Sequence, residues 1–108
     1  MHHNPLRGEL SQRVGLVRST RAMKAFAAMG VDLILCGHDH QEAIHGAEQT
    51  PNSPVVVTAG TVSCRSRGGR PSSLNIISLT QTAIEVEAQV WNSAVRRFEP
   101  GIRRCFER

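Results

Sequence analysis

Aromatic residues are scarce in this chain: its 108 residues include one Trp, three Phe and no Tyr. No apolar run approaches the roughly 18 residues that span a bilayer. The opening MHHNPLRGEL lacks the basic and then apolar stretches of a secretory signal. A membrane or exported protein is therefore not expected, and a cytoplasmic one is. Cysteines number three, at Cys36, Cys64 and Cys105. An odd count at wide spacing excludes a disulfide framework and fits no zinc-finger pattern, which agrees with a reducing compartment. Repeats and low-complexity segments are absent, and the length is that of one domain.

Charge is unevenly placed. The net charge is +4, and twelve of the 13 basic residues are Arg. Residues 1–48 balance, residues 49–84 carry Arg65, Arg67 and Arg70 without an acid, and residues 96–108 carry five Arg against two Glu. A basic end can meet nucleic acid. Without interleaved aromatics it reads as a solvated tail, and nucleic-acid binding is not expected. We divide the chain into residues 1–95, a folded unit, and 96–108, a basic tail in which Phe98 docks and the rest frays.

Hydrophobic periodicity supplies the elements. Residues 19–29 read as a helix with Ser19 as N-cap, an apolar stripe of Ala22, Met23, Phe26 and Ala27, and Gly30 as left-handed stop. Val31–Cys36 and Val55–Ala59 are short, nearly continuous apolar runs, expected as strands buried on both faces. Leu74–Leu79 is a third strand. In Ile84–Trp91, Ile84, Val86, Ala88 and Val90 alternate with Glu85, Glu87 and Gln89, as in a strand with one wet face. Residues 4–15, 46–54 and 64–73 read as loops. The order is that of an α/β or α+β sandwich, not a helix bundle.

Histidine concentrates at two places, His2-His3-Asn4-Pro5 and Gly37-His38-Asp39-His40. In the second, a buried strand runs into a glycine and then presents two imidazoles. Residues i and i+2 of an extended chain point the same way, about 6–7 Å apart. Such a pair suits two metals held side by side, one His on each. Gly37 would let the chain turn tightly, and Asp39, pointing oppositely, would orient a neighbour. His45 reads as a surface residue and Cys36 as a small core residue. Cys64 and Cys105 have no histidine at a spacing that would make a nucleophile.

The combination of HH-x-P, a buried strand ending in GHDH, and the stretch VVVTAGTVSCRSRGGRPSSLNII resembles the C-terminal part of a calcineurin-like metallophosphoesterase, in particular bacterial phosphodiesterases of the cyclic-nucleotide type. That resemblance covers most of residues 1–91. It implies the C-terminal half of a two-sheet sandwich flanked by helices, with a dinuclear site of Mn, Fe or Zn at the sheet edge. His2 and His38 would bind one metal and His40 the other, with His3, Asn4 and Asp39 supporting them from behind. A metal-activated water would attack a phosphate mono- or diester, and Arg65 or Arg67 would contact the phosphate. The family's Asp-x-His and Gly-Asn-His elements and its bridging Asp do not occur here. The expectation is therefore a chain that needs an N-terminal half, or another chain, to complete its site, and that self-associates through the unpaired edge of strand 31–36. The alternative is a catalytically inactive truncated remnant, or a module that binds metal or a partner.

Overall fold

A computed structural model describes residues 1–6, 15–46, 53–63 and 68–108 of the chain. Helix α1 (Ser19–Ala28) carries Met23 and Phe26 on the side that packs. Its start differs from expectation. Arg18, not Ser19, occupies the N-cap, in the left-handed region at φ 62°, and no side chain caps the helix. Ser19 is drawn into the first turn because the Arg18 carbonyl already accepts from the amides of Arg21 and Ala22. The stop is as expected. Gly30 lies at φ 72°, its amide donates to Ala27 O at 3.0 Å, and the Val31 amide donates to Phe26 O at 3.0 Å. These two bonds form a Schellman ending, and glycine takes the positive φ without the penalty of a Cβ.

After the helix come β1 (Leu33–Cys36), β2 (Ala43–His45) and β3 (Val55–Thr58), in the order β1-β3-β2. β3 is central, parallel to β1 and antiparallel to β2, and all four of its residues are buried. β1 is not covered on both faces over 31–36 as expected. It spans four residues at the sheet edge, and Leu35 is 50 % exposed. Leu35 shares a face with Val57 through their pairing, but at the edge it lies beyond the cover of the second sheet. β2 has no signature in sequence, because three residues are too few to show a period.

The second sheet is a meander of β4 (Ser73–Leu79), β5 (Ala83–Asn92) and β6 (Arg97–Glu107). In β5, Ile84, Val86 and Ala88 are buried and alternate with partly exposed partners, as the pattern predicts. β6 overturns the fraying tail. It pairs with β5 from Asn92↔Arg97 to Ala83↔Glu107. Phe106 packs on the core and Phe98 meets Trp91 edge-on at 5.2 Å, so two aromatics pin the strand near its ends. Its arginines hid this strand from a hydrophobic reading. Arg97 pairs with Glu99, Arg103 with Glu85 and Arg108 with Asp32. Water and salt screen such exposed pairs, so they add little to stability.

The two sheets close on Val55, Val57, Ile84 and Val86, with Leu33, Ile44, Ile77 and Phe106 packed around them. On the other face of the first sheet, Ile34, Cys36 and Val56 meet Met23, Phe26, Leu6 and Val31. The result is an α+β fold of two three-stranded sheets and one helix among the described residues. No described helix is long and apolar enough to cross a membrane. Ile84 is 1 % exposed and Ile76, on the wet face, 51 %. Ile84→Ala should cost about 2–5 kcal/mol, since burial and packing are both lost. Ile76→Ala should cost less than about 1 kcal/mol. Urea midpoints of the two variants would check the contrast.

Candidate metal centre

The chain's first residues lie along the open edge of β1. The amino nitrogen of Met1 donates to Leu35 O at 2.6 Å, and the Gly37 amide donates to His2 O at 3.2 Å. These bonds set His2 beside the end of β1, where His38 follows. The His2 Nε2 and His38 Nδ1 atoms are 3.0 Å apart. His3 joins them. The three ring centroids are separated by 4.8 Å (His2–His3), 4.7 Å (His2–His38) and 4.6 Å (His3–His38). One nitrogen from each ring can be chosen so that all lie within 4.8 Å of one another.

A tetrahedral ion with bonds of about 2.0–2.1 Å to nitrogen needs donors about 3.3 Å apart. One pair of nitrogens is at 3.0 Å and all three lie within 4.8 Å, so side-chain rotations that draw His3 inward would bring the three onto one ion. The close His2–His38 contact requires one nitrogen protonated and the other bare. An ion taking that place leaves the ring to carry its hydrogen on its other nitrogen, so both lone pairs can face the metal. His2 and His3 are exposed and His38 partly so, leaving the group open to an entering ligand.

A buried polar knot lies behind the rings. The Asn4 amide nitrogen donates to Asp39 Oδ2 and to Thr58 Oγ1, each at 3.2 Å, and its oxygen accepts from the Leu6 amide at 2.9 Å. Asn4, Asp39 and Thr58 are all buried. The knot joins the first segment, the turn after β1 and the end of β3. Cys36 sits beside it, 3.4 Å from Thr58 Oγ1. Burial pushes its thiol pKa up, against the opposing Thr58 hydrogen bond, so it stays protonated and apolar in behaviour.

The His-x-His turn differs from the extended geometry expected of it. His38 and His40 both lie in the left-handed region, at φ 73° and 56°. Non-glycine residues hold that conformation at a cost of roughly 1–3 kcal/mol each. Gly37 has no positive φ, and a Cβ there would meet nothing within 4 Å. The sharp bend therefore falls on the histidines, while Asp39 is anchored inward by Asn4. His38 goes to the group with His2 and His3, and His40 is not part of it. His3 stands beside His2 and His38 instead of behind them, its ring close enough to offer a third nitrogen. Adjacent side chains diverge in a strand, but residues 1–6 form no strand, so both rings of the HH pair reach one point. His45 lies on β2. Arg65, Arg67 and Cys64 lie outside the described residues.

Comparison with protein families, with curated proteins and with solved structures returns no match for this chain.

Calorimetric titration with Zn²⁺ should give one site. His38→Asn, which keeps a residue tolerant of positive φ, should weaken binding at least tenfold. His40→Asn should change it less than twofold.

Proposed function

We propose that this chain carries the histidine-rich part of a metal-dependent phosphoester hydrolase and that His2, His3 and His38 hold one divalent ion. The observation that supports this is the convergence of three imidazoles from two distant segments at the end of a sheet strand. It coincides with the HH-x-P and GHDH elements whose combination resembles the calcineurin-like metallophosphoesterases. Neutral imidazoles suit Mn, Fe or Zn.

The described histidines could hold one ion, and the pair expected of a complete domain would need carboxylates from elsewhere. The group contains no carboxylate, and two divalent cations a few ångströms apart repel strongly without one between them. Asp39 is buried and held by Asn4, so it orients the turn. When bound, the ion would polarise a phosphoryl oxygen and acidify a water. The three rings add no negative charge, so the ion's full double charge faces an anionic phosphoester. Their partial exposure leaves room for that substrate. The Asn4 knot keeps the rings converged and thus lowers the cost of ordering them on the ion. Carboxylates for a second ion would come from residues other than these, in an N-terminal half or a partner chain.

The lack of a carboxylate in the group also favours a second reading, a module that binds a metal ion without catalysing hydrolysis. Hydrolysis of bis(p-nitrophenyl) phosphate with Mn²⁺ separates the two. The hydrolase reading predicts turnover, by the chain alone or once the half or partner chain that supplies the carboxylates is added, that falls at least tenfold in His38→Asn and disappears with EDTA. Stoichiometric metal binding with no turnover in either mixture would leave the binding module.

A further inference from the structure

The outer strand of a sheet carries a row of unpaired N–H and C=O groups, and proteins blunt such edges with short strands, bulges, proline or charge. Among the described residues the edge strands are β1, β2, β4 and β6. Three of these edges are blunted. On β1, the edge expected to self-associate, Leu35 O accepts from the Met1 amine and the Gly37 amide donates to His2 O. β2 is three residues long, and its Ile44 carbonyl accepts from Arg104 at 3.2 Å. β6 holds Pro100, carries Arg97, Glu99, Arg103 and Glu107, and is irregular where its pairing passes Glu87 and Gln89.

β4 has none of these devices. It is seven residues long and pairs with β5 without a bulge, from Ser73↔Val90 to Leu79↔Ile84. Residues 72–84 include no charged side chain, no proline and no glycine. The ladder shows which groups face outward. The Trp91 amide donates to Ser72 O and the Thr80 amide to Ala83 O. Bonded positions alternate along an antiparallel pair, so the even-numbered residues of β4 bond to β5. The N–H and C=O groups of Asn75, Ile77 and Leu79 therefore point away from it. Ser73 confirms the direction, because its amide donates outward to Thr61 O at 2.9 Å. No backbone group among the described residues meets the other three. Ile76 and Leu79 beside this edge are each about half exposed.

The absence of charge selects the occupant. When a strand pairs antiparallel with its own copy, a charge near the two-fold axis lies close to the same charge and is repelled. β4 has no such charge. A two-fold contact is also isologous, so it consumes the one bare edge of each copy and the assembly closes at two. We propose that two copies of this chain pair antiparallel along β4, joining their second sheets into one continuous sheet. Ile77, the middle of the three outward residues, lies at the axis.

Sedimentation velocity of the full chain tests this, in EDTA and a thiol reductant so that neither metal at the histidines nor the exposed Cys105 joins copies. Concentrations run up to about 1 mM, because a strand edge is a small interface. A monomer should give way to a dimer and to nothing larger. Amide exchange at Asn75, Ile77 and Leu79 should slow as the dimer forms. Leu79→Pro removes an outward N–H that the fold does not use, and should weaken the dimer at least tenfold. Leu79→Ala keeps that N–H and should weaken it less than threefold. A monomer at every concentration would leave the edge to a foreign strand and overturn the proposal. Growth past the dimer, equal effects of the two variants, or slowed exchange centred on another strand would overturn it as well. The wild-type exchange map decides even if Leu79→Pro fails to fold.

Discussion

One buried side chain ties the molecule's function-bearing parts together. The Asn4 amide donates to both Asp39 and Thr58 and accepts from the Leu6 amide. An amide has two N–H donors and a carbonyl acceptor, so this one residue satisfies a carboxylate, a hydroxyl and a backbone amide at once. Buried polar groups that lose a hydrogen-bond partner cost folding free energy, roughly 1–3 kcal/mol. The knot therefore fixes where residues 1–6 lie, how the chain leaves β1, and hence where His2, His3 and His38 meet. The two backbone bonds along the edge of β1 align the segment, and the knot anchors it.

The same constraint explains the strain at the site. Asp39 is directed inward to Asn4, and the residues on either side of it absorb the bend in the left-handed region. Strain of this kind persists only where surrounding contacts over-determine it. Here the surrounding contacts are the knot and the Gly37–His2 bond. The consequence is chemical. His38 is turned toward the first segment, whereas an extended His-x-His would have pointed both rings into one pocket. His38 thus stands with His2 and His3, three imidazoles close enough to share one ligand, while His40 lies apart from them.

Much of the fold was legible because burial and period leave marks in sequence. The alternation of Ile84, Val86 and Ala88 with Glu85 and Glu87 located β5, and Gly30 located the helix end. β3 showed as an apolar run because it is central. What escaped notice did so for identifiable reasons. β2 is three residues long. β6 is rich in arginine, and its pairing depends on Phe98, Phe106 and partners found only in space. The coverage of β1 was overestimated because an apolar run does not reveal an edge position, and Leu35 is left half exposed. At the site, the two histidine motifs were visible, and His2 and His38 were grouped from the family resemblance. The place of His3 was not visible, because it depends on a segment that is neither helix nor strand. Nor is the left-handed turn, since glycine is the residue that takes a positive φ most readily, and here the histidines take it while Gly37 does not.

The proposed centre brings three imidazoles to one ion. X-ray absorption at the zinc edge of the Zn²⁺-loaded chain measures this directly. Three imidazole nitrogens at about 2.0–2.1 Å, with no neighbouring metal, is the predicted result. A zinc–zinc vector, a sulfur ligand, or fewer than three imidazoles around the ion would contradict it.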